Sequence, residues 1–347
     1  MHNATASNLV EAAAPATEHA AKLQAENPTA SPETERDATA LRLAVAEALK
    51  QAGTAVLGKN RELKMAMACL LAGGHLLIDD RPGLGKTTLA RTIAHCTGLD
   101  FKRVQFTSDL TPTDILGVSV MERQPDGHTF FRFNEGPVFT QLLLADEINR
   151  ASPRVQSALL EAMAENQVSI DGETRPLPHP FFVIATQNPV DMSGTFSLPD
   201  SQLDRFLLRI HMGYPDAASE KALLRGNADG RLGEQILDQA SVMEARKAVT
   251  KIYTSEAIIE YAFRLIQATR EHGEVEVGLS PRAGIALLNC ARAWAFIHGR
   301  GHVLPEDVKE LLLPVAGHRI ALKNGNRHAE QRIHEVIQQI LDNTRVH

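Results

Sequence analysis

Two rhythms of apolar residues run along this chain. From about Thr39 the pattern is helical, with Leu41, Leu43, Val45 and Leu49 as its first marks. A second helix is predicted over Arg61–Ala72, with Leu63, Met67, Leu70 and Leu71 on one side, stopped by Gly73-Gly74. Short apolar runs then alternate with helical stretches. His75–Asp79, Arg103–Phe106, Leu142–Ala145, Phe181–Ala185 and Phe206–Ile210 read as five buried strands, and Lys86–Cys96 reads as a helix. Strands separated by helices predict an α/β fold, a mostly parallel five-stranded sheet with helices on both faces.

Two stretches break the alternation. "GVSVMERQPDGHTFFRF" turns around Pro125-Asp126-Gly127, and "QVSIDGETRPLPH" turns at Asp171-Gly172. Both read as β-hairpins inserted into the α/β pattern. After Tyr214-Pro215 the strands stop, and residues 216–347 read as helical, broken near Asn227–Gly233, Glu271–Pro281, His298–Pro305 and Lys323–Asn326. At the other end, residues 1–37 hold few large apolar residues, and their acids outnumber their bases 6 to 2. Such a segment cannot offset its ordering entropy and is expected to be a mobile acidic tail, with Glu11–Glu26 able to form a transient Ala-rich helix. The expected domains are a tail over 1–37, an α/β core over 38–213 and an all-α domain over 214–347.

Composition narrows the classes. The 347 residues are 44% hydrophobic and 22% charged, which fits a globular chain with ample core. A net charge of −6 argues against a protein built to coat nucleic acid. The three cysteines, Cys69, Cys96 and Cys290, are widely spaced and odd in number, which suggests reduced thiols. The 14 histidines make no ligand spacing that predicts zinc. No apolar run approaches the ~18–20 residues of a membrane span, and the start has no basic stretch followed by an apolar one. The expected location is the cytoplasm.

The strand His75–Asp79 leads into "DRPGLGKTT". Gly83 and Gly85 let the backbone turn its N–H groups towards an anion, and the helix that follows adds its positive end. Pro82, Gly83, Leu84, Gly85, Lys86, Thr87 and Thr88 are therefore read as a nucleotide phosphate loop of the G-x-x-x-x-G-K-[ST] type. Lys86 reaches the β- and γ-phosphates, and Thr87 offers a hydroxyl to Mg2+. The first glycine of that pattern is Asp80 here, whose charge must point away from phosphate.

The strand Leu142–Ala145 ends in bare acid, Asp146-Glu147. In a parallel sheet the carboxyl ends of neighbouring strands face one crevice, so both acids should lie beside the phosphate loop. Asp146 is then a second holder of Mg2+, and Glu147 orients or deprotonates the water that attacks the γ-phosphate of ATP.

With those residues in place, "LLLADEINRASPRVQSALLEAMAE", "ATQNP", "GTFSLPDSQLDRF" and "LSPRA" strongly resemble the MoxR family of AAA+ ATPases, in the family's order and over roughly residues 41–343. An acid at Asp80 is common in that family. The resemblance implies an AAA+ core with a helical lid, usually assembled as a homo-hexameric ring. It implies that Asn188 is the sensor-1 residue aligning the attacking water. Arg205 matches the arginine finger that reaches a neighbour's γ-phosphate, and Arg282 matches sensor 2 in the lid. It places Arg150 and Arg154 as further candidates for the subunit interface. The hairpin near 115–135 resembles the helix-2 insert of this clade, and the one near 167–179 its pre-sensor-1 hairpin. Taken by themselves, Arg205 reads as a salt-bridge partner of Asp204 or Asp200, and Arg282 as a surface charge at a helix start.

The family also implies ATP hydrolysis driving chaperone-like remodelling or cofactor and metal insertion in protein clients, often with a von Willebrand factor A domain partner. A nucleic-acid motor is one alternative, though the first hairpin offers only Arg123, His128 and Arg132 as cations. A magnesium-chelatase-like motor subunit is mechanistically close. A nucleotide-gated scaffold without catalysis is opposed by Glu147 and Asn188.

Overall fold

A computed structural model describes residues 32–125, 128–188, 194–225, 232–323 and 330–346. The acidic tail up to residue 31, the turn residues Asp126-Gly127, and the breaks at 226–231 and 324–329 lie outside the described residues, as does Pro189 of "ATQNP".

The first helix, α1, spans Pro32–Ala55, so it begins inside the stretch expected to be tail. Proline suits a first helical turn, and the following residues are rich in good helix formers. α2 (Asn60–Leu71) ends at Ala72-Gly73, with Gly73 at φ +78 as a left-handed stop. β1 (Leu76–Asp79), α3 (Lys86–Thr97), β2 (Phe101–Gln105) and α4 (Pro112–Leu116) follow. The first hairpin pairs β3 (Gly117–Arg123) with β4 (Thr129–Glu135). β5 (Leu142–Asp146) leads through a 3-10 turn, Ile148–Arg150, into α5 (Pro153–Glu165). The second hairpin pairs β6 (Gln167–Ile170) with β7 (Glu173–Pro176) across Asp171-Gly172, both at positive φ, as the Asp-Gly turn predicts. β8 (Phe182–Gln187), α6 (Asp200–Leu203) and β9 (Leu208–Ile210) complete this part.

The five core strands make one parallel sheet in the order β2-β5-β8-β1-β9. Its residues alternate between two apolar clusters. Leu76, Ile78, Leu142, Leu144, Phe182 and Ile184 pack on one face; Leu77, Leu143, Ala145, Val183 and Ala185 pack on the other. Side chains of a strand point to opposite faces in turn, so continuous apolar runs such as Leu142–Ala145 belong to a sheet covered on both sides. At the edge, β2 starts two residues earlier than its pattern suggested. Phe101 packs against the first cluster, and Phe106 leaves the strand for the second.

Beyond residue 216 come α7 (Ala217–Leu224), α8 (Gln239–Thr250), α9 (Glu256–Glu271), α10 (Pro281–Ile297), α11 (Pro305–Ala316) and α12 (Glu330–Asn343). The region is helical with one correction. β10 (Val275–Val277) and β11 (Ala321–Leu322) form a two-stranded antiparallel ribbon. It joins the chain just after α9, inside the expected break Glu271–Pro281, to the chain just after α11, ahead of the expected break at Lys323–Asn326. Residues 41–347 form one compact unit, and the cluster on the β1 face continues into α9, α10 and α11. Among the described residues no helix is long and apolar enough to cross a membrane.

Candidate nucleotide site

The phosphate loop leaves β1 at its carboxyl end. Gly83 and Gly85 adopt φ +84 and +88, while a Cβ at either would meet open space. Backbone conformation, not crowding, therefore calls for glycine at both. Gly85 is the N-cap of α3 and makes no side-chain cap, so the first N–H groups of the helix stay available to a ligand. Lys86 is buried, and its ammonium donates to the carbonyls of Asp80 at 2.5 Å and Gln187 at 3.3 Å. Burial pushes its pKa down, and the carboxylates of Asp146, Asp80, Asp79 and Glu147 push it back up. The Gln187 carbonyl that Lys86 meets ends β8, and Thr186 just before it donates to Asp146, which puts Lys86 and Asp146 at one end of the sheet. Thr87 and Thr88 follow on the first turn of α3.

Asp80 turns its charge away from the loop. One carboxylate oxygen accepts from the Arg81 N–H, the other from the Gly213 N–H at 2.6 Å. Buried Lys59 donates to the carbonyls on either side, Met212 and Tyr214. The segment leading from the sheet to α7 is thus gripped by an acid of the phosphate loop and a lysine at the start of α2.

Asp146 and Glu147 stand at the end of β5 under four neighbouring side chains. The buried Thr186 hydroxyl on β8 donates to Asp146 Oδ1 at 2.6 Å and accepts from the Glu147 N–H at 2.8 Å. Arg103 on β2 donates to Asp146 Oδ2 through Nε at 3.1 Å and Nη2 at 2.7 Å. Gln105 on the same strand donates to Glu147 Oε2 at 2.9 Å, and Arg150 donates to that oxygen at 3.1 Å. Glu147 itself holds φ 58 and ψ 50, a left-handed conformation that costs a non-glycine residue about 1–3 kcal/mol and is typical of functional sites. Asn188 directly follows β8, whose Gln187 is level with Asp79 of β1, so it lies at this same end. Its carbonyl accepts from the Asn149 side chain at 3.3 Å.

Sequence reasoning did not single out Thr186, Arg103 or Gln105. Thr186 stands inside "ATQNP", but its role depends on which strand lies beside β5. Arg103 and Gln105 are alternate residues of one strand, so they share a face, and only the β2–β5 register aims them at the acids.

Arg205 and Arg282 are not part of this crevice. β9 runs parallel to β1 with Leu208 level with Leu76, and the Leu207 N–H donates to the His75 carbonyl. Asp204-Arg205 therefore lie where the chain enters the sheet, and the phosphate loop lies where it leaves. A four-residue strand separates the two ends by roughly 13 Å. Arg282, at the start of α10, has a guanidinium nitrogen 3.7 Å from Asp204. Asp204 also takes Arg319, whose side chain is 7% exposed, at 2.7 Å. Arg205, Arg246, Arg282 and Arg319 line one cleft of 550 Å3 with Asp204. Arg154 is exposed at the start of α5.

Metal-binding capacity can be judged from the donor set. One buried carboxylate, Asp146, and one hydroxyl, Thr87, are too few for zinc or calcium. They suit Mg2+, which keeps several waters and takes its remaining ligands from phosphate oxygens.

A parallel sheet with a phosphate loop at one strand end and an acid pair two strands away at the same end defines a nucleoside-triphosphatase core. In agreement, residues 75–208 match the family model "ATPase family associated with various cellular activities (AAA)", and residues 267–342 match the AAA lid domain. The uncharacterized protein YeaC of Bacillus subtilis is 38% identical over 86% of this chain and 94% of its own. Chaperone MoxR1 of Mycobacterium tuberculosis is 38% identical over 77% of this chain and 73% of its own. A crystal structure of a candidate ATPase from Cytophaga hutchinsonii superposes with a TM-score of 0.82 at 37% identity, covering 91% of this chain and 98% of that one. The chain belongs to the MoxR family of AAA+ ATPases, and its reaction is ATP hydrolysis.

Proposed function

We propose that the chain is a ring-forming, chaperone-like ATPase in which each nucleotide is served by two subunits. Pro82–Thr88 cradle the phosphates, with Lys86 turning from the carbonyls of Asp80 and Gln187 to the β- and γ-oxygens. Thr87 and Asp146 hold Mg2+, which neutralises phosphate charge and fixes the phosphoryl group for in-line attack. Glu147 accepts the proton of the attacking water, and Asn188 aligns that water. Arg205 and Arg282 stabilise the developing charge on a neighbour's nucleotide. The observation that carries this reading is the placement of both arginines at the sheet end opposite their own phosphate loop. A closed ring, a hexamer by family resemblance, brings the two ends together between subunits.

The client is a protein on this reading. The hairpin β3–β4 presents Met121 and Phe131, 62% and 74% exposed, and its Arg132 is paired with Glu122 at 3.2 Å. Such a tip offers apolar surface more than a basic track for nucleic acid. Remodelling or metal and cofactor insertion, a von Willebrand factor A domain partner and a cytoplasmic location follow the family resemblance. So do a core over 38–213 and a lid over 214–347.

The test is Glu147→Gln. It should bind ATP as the wild type does and lose turnover at least about a hundredfold, as loss of a general base requires. Pull-down of the ATP-locked variant followed by mass spectrometry should retain the client and any adaptor. Normal phosphate release by this variant would reject the assignment.

A further inference from the structure

We infer that Arg103 is a built-in counter-ion of the metal-binding acid: it neutralises Asp146 when no divalent ion is bound, and it must swing off for the ion to bind. This rests on reading Asp146 as a metal ligand. Both oxygens of that carboxylate are already committed. Oδ1 takes the Thr186 hydroxyl at 2.6 Å, and Oδ2 takes two N–H groups of Arg103 at 3.1 and 2.7 Å. The Thr186 bond can persist beside a metal, because a carboxylate oxygen has a second lone pair and the hydroxyl comes from within the sheet. The Arg103 fork fills the lone pairs of Oδ2, and a guanidinium and a divalent cation on one carboxylate repel each other and compete for its charge.

Arg103 is placed to leave. It stands on the edge strand of the sheet, and its side chain is 45% exposed, against 11% for that of Asp146. Arg103 is an exposed residue, and its remaining hydrogen bond, Nη2 to Gln105 Oε1 at 2.8 Å, offers a resting place two residues along the strand. Gln105 in turn holds Glu147. The strand β2 therefore covers both acids with a side chain each, and metal loading disturbs the first of the two contacts. The chemistry gives Arg103 a role separate from phosphate binding: it sets the divalent-ion concentration at which the site fills.

The experiment is a Mn2+ titration of the full-length protein, followed by electron paramagnetic resonance, with a non-hydrolysable ATP analogue bound. Arg103→Gln removes the charge and keeps a donor; Arg103→Lys keeps the charge. Loss of a half-exposed ion pair should lower the half-saturating Mn2+ about threefold in Arg103→Gln. Arg103→Lys should stay near the wild type, and analogue binding in EDTA should be the same in all three. Unchanged or weaker Mn2+ binding in Arg103→Gln would overturn the inference, because an arginine that merely orients Asp146 helps the metal. Unchanged Mn2+ binding in Asp146→Asn would instead remove the underlying assignment of the ligand.

Discussion

Thr186 shows how much one buried hydroxyl can organise. It is completely buried, donates to Asp146 and accepts from the Glu147 backbone, so it fixes both neighbouring acids at once. Thr186→Val keeps the shape and removes the partner of two buried polar groups. It should cost about 2 kcal/mol of stability, the usual penalty for stranding such groups. It should also slow hydrolysis about tenfold through misplaced acids, with ATP binding little changed. Thr186→Ser should recover most of both losses; thermal melts and phosphate-release assays read them. The acids themselves were legible from "LLLADE", since an apolar strand with charge at its carboxyl end announces a crevice. The hydroxyl was not, because threonine in a strand is ordinary and only its neighbour makes it special.

At the scale of elements, His75 ties three of them. Its Nδ1 accepts from the Val183 N–H on β8 at 3.0 Å, and its Nε2 faces the Met163 carbonyl of α5 at 3.1 Å. One acceptor and one donor define a neutral ring at the entrance to β1. Burial pushes its pKa from 6.5 down to about 4, with the bond to Met163 opposing. The unfolded chain takes up a proton between those values and the folded chain does not, so stability falls as pH falls through that window. From pH 7 to pH 5 the wild type should lose about 2 kcal/mol relative to His75→Gln, whose amide can copy both bonds without titrating. Urea denaturation of both proteins at the two pH values measures it; a difference independent of pH would mean the ring is not held neutral. The sequence placed the strands because their apolar runs are local. It missed the ribbon β10–β11, whose three and two residues carry too short a pattern and pair across more than forty positions.

For the whole molecule the decisive fact is that the sheet has two chemical ends. Lys86, Asp146 and Glu147 meet at one, and Arg205, Arg282, Arg246 and Arg319 gather around Asp204 at the other. A lone subunit cannot bring its own Arg205 to its own phosphates across the sheet. Hydrolysis per subunit should therefore rise with protein concentration and level off as assembly completes. Arg205→Ala should bind ATP and turn over slowly at every concentration. Mixing it with Lys86→Ala should restore part of the activity, because each variant supplies the end the other lacks. A flat specific activity across the assembly range, or no recovery on mixing, would count against shared sites.

The chain's own order of residues determined whatever is local: a glycine turn between strand and helix, a strand that stops at two acids, apolar alternation that builds a sheet covered on both faces. Backbone conformation and side-chain periodicity act over a few residues, so they can be read directly. Only the tertiary structure decided which strands are neighbours. That choice put Thr186 and Arg103 on Asp146 and Gln105 on Glu147, and carried the two signature arginines to the far end. Cross-strand register is set by packing between segments distant in the chain, and no short stretch of sequence contains it.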